Sequence, residues 1–469
     1  MASTYTAYPE GFRCIGSDCE DTCCQGWNVP IDRAAYEKYQ NLTASPLRTL
    51  IVENIAESVE GATKGTGSGE IARAGNAVNF AQIRMNSANR CPLFTSERLC
   101  RIHAELGEGM LGYACSTYPR IVHEIGGVRE TALALSCPEA ARLVLLNPDL
   151  LRPELLNAGL PGTELPSPQR TAMEQVVAAP GNSHAEEGAR ALPADFLEIR
   201  RAMLALVGMR SYPLWQRMFL LGLLCRRLDS IALGELKRSV TEFLADFKAA
   251  VDAGSLLPAM ETLPVDRSAQ LDVVLRLAGM LLHRSNVSPR FAECVQAFTT
   301  GIGNGPGATL DSLTRQYTVA HDHSYEPFFR HHPHILENYL VNTIIRCQFP
   351  FGREGMEVGA EPRRTQEFAK LTAQFALIRG LLIGVAGFHG VAFSTAHVVS
   401  TVQSAAKHFE HHPGFLKLAY ELLLESQMDG ARGTAILLRN AGQEITTAVL
   451  PDVRVPRPRV YGPEAQPEA

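Results

Sequence analysis

Eight of the eleven cysteines in this chain lie between Cys14 and Cys137. Cys14 and Cys19 are separated by four residues and Cys19 and Cys23 by three, with Cys24 adjacent. Cys91, Cys100, Cys115 and Cys137 follow, in the phrases CPLF, LCRIH, CSTYPR and SCPEAARL. Cys225, Cys294 and Cys347 are scattered singly through apolar sequence. Thiols that only filled a core would be dispersed like those last three. Crowding into the first third of the chain points to a metal site, which ties distant segments to one another.

Thiolates are soft ligands that select zinc, copper(I) or iron–sulfur clusters, and four of them complete a tetrahedral zinc site or a cubane cluster. The spacing here is not the C-x2-C pair of most zinc ribbons. Nor is it the C-x3-C-x2-C of radical S-adenosylmethionine enzymes, because position 26 is glycine. Zinc and iron–sulfur therefore both stand on spacing alone.

Net charge of -5 and a pI near 6.3 give no global attraction to nucleic acid or anionic membrane. The N-terminal MASTYTAYPEGFRC lacks a basic start followed by an apolar run, so no secretory signal is expected. The most apolar later stretch, 375–393, is broken by Arg379 and His389 and reads as a buried helix rather than a membrane insertion. The cytoplasm is the expected address, where reduced, clustered cysteines favour metal binding over disulfides.

The fold class expected is mainly α, a cysteine-rich metal-binding module over 1–150 followed by a helical domain over 195–450. Within the module, Asp32 is placed to cap a helix, and Cys137-Pro138-Glu139 reads as a helix start. A glycine-rich flexible loop is expected at about 61–77, a linker at 151–194 and a flexible tail at 451–469. Beyond Phe196, apolar residues recur at intervals of three and four, as in Phe196, Ile199, Met203, Leu206 and Val207.

The run FRCIGSDCEDTCCQGWNVPID, followed by CPLF, LCRIH, CSTYPR and LSCPEAARL, resembles the flagellin lysine-N-methylase family. Phe328-Phe329, the HILENYLVN run from His334 and Phe349-Pro350-Phe351-Gly352 are similar to that family's C-terminal half. The resemblance implies methyl transfer from S-adenosylmethionine to lysine ε-amines of flagellin. It also implies a [4Fe–4S] cluster, with Cys14, Cys19, Cys23, Cys24, Cys91, Cys100, Cys115 and Cys137 as candidate ligands. One cubane uses four thiolates, so either a second metal is held or some of the eight are structural.

No standard cofactor pocket is legible. The Gly301–Gly307 run follows no buried strand and reads as a loop between helices, and Gly384, Gly387 and Gly390 read as close helix packing. Arg120, beside the Cys115 phrase, could bind the cofactor's carboxylate or make a plain salt bridge. Asn338 and Asn342 share a helical face and could bind a ligand or a neighbouring backbone. The histidines at 321, 323, 331, 332 and 334, and at 408, 411 and 412, could bind a metal or act as a base, but polar loop residues are the favoured reading. A non-enzymatic zinc module with a helical protein-interaction domain is the alternative reading.

Overall fold

The computed structural model describes residues 3–6, 12–57, 79–125, 128–150, 195–232, 234, 239–283, 287–352, 363–412 and 414–440. The loop at 61–77, the linker at 151–194 and the tail at 451–469 lie outside them. Two three-stranded sheets belong to the first third. One has the order β1 (Ser3–Thr6), β6 (Val128–Leu133), β5 (Arg120–Ile125), with β1 parallel and β5 antiparallel to β6. The other places β4 (Ala81–Ile83) between β2 (Pro30–Ile31) and β3 (Ile55–Glu57), both antiparallel to it.

Short helices fill the gaps: α1 (Arg33–Gln40), α2 (Pro46–Glu53), α3 (Arg101–Leu106), α4 (Tyr113–Thr117) and α5 (Pro138–Leu145). Asp32 caps α1 as expected, accepting from the Ala35 amide at 2.9 Å, and its other oxygen accepts from the first amide of α4, Tyr113, at 2.6 Å. One carboxylate thus fixes two helix starts against each other. Cys137 and Pro138 open α5 as read from the sequence.

The rest is helical. In order come α6 (Phe196–Val207), α7 (Leu214–Ala232), α8 (Val240–Asp252), α9 (Leu257–Glu261), α10 (Arg267–Leu282) and α11 (Pro289–Gly301). Then follow α12 (Leu310–Ala320), a π-helical turn (His321–Tyr325), α13 (Glu326–His331), α14 (His334–Arg346) and α15 (Arg364–His389). The last are α16 (Thr395–Phe409), α17 (Phe415–Glu425) and α18 (Ala431–Leu438). The chain is mainly α, as expected.

Every residue of α15 from Leu371 to Ala386 is buried. By length and composition this helix could cross a membrane, but it is the central helix of the body, and α7, α10, α11, α12, α16, α17 and α18 pack on it. A helix apolar on all sides needs such surroundings. Its glycines permit the closest approach: a Cβ on Gly301 of α11 would sit 1.8 Å from the Gly384 carbonyl oxygen, and one on Gly384 would strike Phe298. The Gly301–Gly307 run is the expected connection, closing α11 and leading to the Thr309 cap of α12.

Two apolar cores result. A small one joins Trp27, Val29, Ile31, Tyr39, Ile51, Ile83, Cys91, Leu93 and Ile102. The large one takes in the helices and also the end of β6 and α5. β6 is locked to the helical body by a buried ion pair, Glu130 with Arg200, at 2.5 and 2.7 Å. The Arg200 guanidinium also donates to the carbonyls of Ile344 and Phe349.

The loop reading of the histidines needs correcting. His321 is 2% exposed inside the π-helical turn, which continues α12 toward α13 with wider-spaced hydrogen bonds. Its ring stacks on Tyr325 and meets Arg267 and Asp322. Burial first, then the charge of Arg267, depress its pKa to about 4. His408 is likewise buried within α16.

Candidate metal centre

The loop from Cys19 to Cys24 is shaped by its own polar residues. Asp21 accepts from the Thr22 amide at 2.8 Å, and the Thr22 hydroxyl accepts from the Cys24 amide at 3.0 Å. Gly26, at φ +94, turns the chain so that Gln25 bridges Arg90. The Cys91 amide then donates to the Cys24 carbonyl at 2.8 Å, and the Trp27 indole to the Cys23 carbonyl at 2.6 Å. A second tight turn carries Cys91 to Cys100, closed by a bridge between Phe94 and Cys100. Arg98 reaches from it to the Cys19 carbonyl.

Cys100 and Cys137 stand at the N-terminal ends of α3 and α5, and Cys115 lies within α4. Backbone amides address several sulfurs: Asp21 at Cys19, Leu93 at Cys91, Ile102 and His103 at Cys100, Glu139 and Ala140 at Cys137. Such amides favour thiolate over thiol. Burial is the larger effect and pushes these groups up, Cys91 to about 11 and Cys137 to about 12. Cys23 is raised first by its hydrogen bond with Cys24 and then by burial, and Cys115 is raised by burial.

Cys23 and Cys115 are nevertheless exposed residues. Cys23 raises Cys91, Cys100, Cys115 and Cys137 electrostatically, so it is near all four. Cys19 acts on Cys137 and Cys14 on Cys19. The fold therefore gathers segments more than a hundred residues apart around Cys23. Among the described residues, no three His, Cys, Asp or Glu side chains converge as they stand on one metal-ion position.

One wall of this region comes from the helical body. On α16, Gln403 donates to Asp21 at 2.9 Å and to the Ser136 carbonyl at 2.8 Å, and Lys407 donates to Asp21 and to the Thr22 carbonyl, each at 2.8 Å. Burial alone would raise the Asp21 carboxyl, but Lys407 and Gln403 hold it below its ordinary range. Glu20 pairs with Arg142 of α5 and Arg290 of α11. Just past α16, His411 stacks on Trp27 at 4.8 Å and meets the Ser136 hydroxyl at 3.0 Å, which also meets the Tyr118 hydroxyl at 3.1 Å. Glu410 accepts from the Ser136 amide at 3.2 Å and faces Arg346, and burial raises its pKa.

The expected cofactor contacts are placed otherwise. Asn342 accepts from the Leu133 amide at 3.0 Å and donates to the Leu133 carbonyl at 2.8 Å. Asn338 donates to the carbonyls of Val144 and Asn147 at the end of α5. The shared helical face is real, but it docks α14 on β6 and α5 rather than facing a ligand. Arg120 lies over the Phe12 ring and donates to the Phe12 carbonyl at 2.9 Å, steadying the chain two residues before Cys14. Asp21, Trp27, Gln403, Lys407 and Glu410 were not singled out from the sequence. Only the EDTCC phrase and the histidines at 408–412 lay near them.

The model of the FliB lysine N-methylase C-terminal domain matches residues 200–437, just over half of the chain. The flagellar biosynthetic protein FliU of Salmonella muenchen is 31% identical over 149 residues, 32% of this chain and 79% of that relative. The lysine-N-methylases of Salmonella typhimurium LT2 and Salmonella choleraesuis SC-B67 are each 30% identical over 149 residues, 32% of this chain. The matched stretch spans 33% of the length of those two. No solved structure matches. The chain belongs to the FliB lysine N-methylase family.

Proposed function

We propose that this protein is a cytoplasmic enzyme that moves methyl groups from S-adenosylmethionine to lysine ε-amines of flagellin. Membership of a lysine N-methylase family over residues 200–437 is the observation that carries methyl transfer. The flagellar name of the FliU relative supports a flagellar substrate. In the transfer, a nitrogen–carbon bond forms on the lysine as the sulfur–methyl bond breaks. The amine must first lose its proton, because an ammonium has no lone pair. Glu410 and His411, in contact with Ser136 directly before Cys137, are groups that could take this proton, Glu410 in its carboxylate form, and burial raises the proton affinity of that carboxylate.

In this reading the thiols around Cys23 hold a [4Fe–4S] cluster. The chemistry of the donor set fits: soft sulfur ligands, with backbone amides addressed to several of them. Such a cluster, when bound, would supply one-electron transfer or would tie the distant cysteine segments together. The residues of the chain would position it, four ligands being drawn from Cys14, Cys19, Cys23, Cys24, Cys91, Cys100, Cys115 and Cys137, of which Cys24, Cys91, Cys100, Cys115 and Cys137 are electrostatically coupled to Cys23.

The test is anaerobic purification with an absorption spectrum, iron, sulfide and zinc analysis, then incubation with methyl-labelled S-adenosylmethionine and flagellin. A brown protein with iron and sulfide, and label on flagellin lysines, is expected. A colourless zinc protein that leaves flagellin unlabelled would sink this reading in favour of a zinc module with a helical interaction domain.

A further inference from the structure

The Cys19–Cys24 loop has few apolar anchors of its own, yet it is pinned by a pair of side chains from across the domain boundary. Gln403 and Lys407 lie one turn apart on α16, so both project from the same helical face. Together they touch Asp21, Thr22 and the carbonyl of Ser136, directly before Cys137. Lys407 is 7% exposed, and its stem passes 3.5 Å from the point where a Cβ on Gly26 would sit. Its charge acts on the Cys23 thiol in the direction that favours thiolate.

A buried ammonium needs anionic partners, and Asp21 supplies a single negative charge. A thiolate-held group adds further negative charge a few bonds away. We propose that Lys407 is a positioning residue for that group: it fixes the loop carrying Cys19, Cys23 and Cys24 against α16 and sets positive charge beside the thiolates. The inference rests on the metal reading above. It follows that the helical body helps to hold the thiols in place, because the segments carrying Cys23 and Cys137 are both tied to α16. Gln403 supplies the neutral part of that clamp and Lys407 the charged part.

The test uses the full chain, purified anaerobically as wild type, Lys407→Met, Lys407→Arg, Asp21→Asn and Lys417→Met. Lys417 is an exposed cation on α17 and serves as the charge control. Three quantities are read: iron and sulfide per chain, the rate of iron loss to a colorimetric chelator, and the midpoint potential. Lys407→Met is expected to lose iron several-fold faster and to show a lower potential, since a nearby cation eases electron addition. Lys407→Arg should restore both values toward wild type, and Lys417→Met should change neither.

Asp21→Asn should move the potential upward, and it decides the question if Lys407→Met does not fold. A loaded wild type whose potential and iron loss are unchanged in folded Lys407→Met, or unchanged in Asp21→Asn in its place, overturns the proposal alone. A wild type that binds no metal at all overturns the metal reading together with this inference. If zinc is bound, the iron–sulfur reading fails, while zinc loss to a chelator still tests the clamp by the same comparison.

Discussion

Among the described residues around Cys91 no helix exceeds eight residues, whereas α15 runs for 26 and is buried through its middle. Isolated helices shorter than about 12–15 residues are marginal in water. The cysteine region therefore depends on directed contacts: Asp32 capping two helices, Trp27 on the Cys23 carbonyl, and Cys91 on the Cys24 carbonyl. The helical body depends instead on apolar area and close packing, with glycines where α11 and α15 touch. One region is organised by polar geometry, to which the proposed thiolate-held group would add. The other holds itself by burial.

On the proposed metal reading, that contrast can be broken most severely by stripping the metal. Treating the loaded protein with chelator is expected to raise amide hydrogen exchange throughout 14–115 while α15 stays protected; uniform loosening of both regions would refute the division. Next in size is Glu130→Ala, which leaves the Arg200 charge buried and unpaired at the junction. It should cost about 3–5 kcal/mol in chemical denaturation, because it breaks the tie between β6 and the helical body. Gly301→Ala forces α11 off α15 and should cost about 1–3 kcal/mol, confined to the helical body and read as a lower Tm. Asn342→Ala strands the amide and carbonyl of Leu133 and should cost about 1–3 kcal/mol.

The smallest effect concerns pH. His321 is neutral in the fold, with its pKa depressed to about 4, against about 6.5 when unfolded. The unfolded chain takes up the proton first as pH falls, so this contribution is intact above about 6.5 and is lost on the way down to about 4. His321→Gln should flatten that limb of stability against pH. An unchanged slope would remove His321 as its source.

Much of the helical body was legible because its cause is local. The three-and-four spacing of Phe196, Ile199, Met203 and Val207 forecast α6, and all four are buried. Gly384 and Gly387 of α15 could be assigned to close packing since little else tolerates glycine in a long apolar helix, but Gly390 was misassigned: it ends the helix at φ +53 with nothing packed against it. The histidines misled for a related reason: polarity in sequence suggests a loop, while His321 found a buried arginine contributed by α10. Asn338 and Asn342 were correctly placed on one face. Whether that face met a ligand or a backbone depended on β6 and α5, some two hundred residues earlier.

By itself the sequence determined that eight thiols belong to one region and that a helical body follows, because residue type and helical period are properties of the chain alone. Only the tertiary structure decided that Cys23 stands at the centre of those thiols and that α16 supplies a wall of the site. Lys407 and Asp21 are 386 positions apart, and nothing in local propensity joins residues at that distance. Their ion pair exists because burial of α16 against the large core brings a lysine, a glutamine and the cysteine loop within hydrogen-bonding reach.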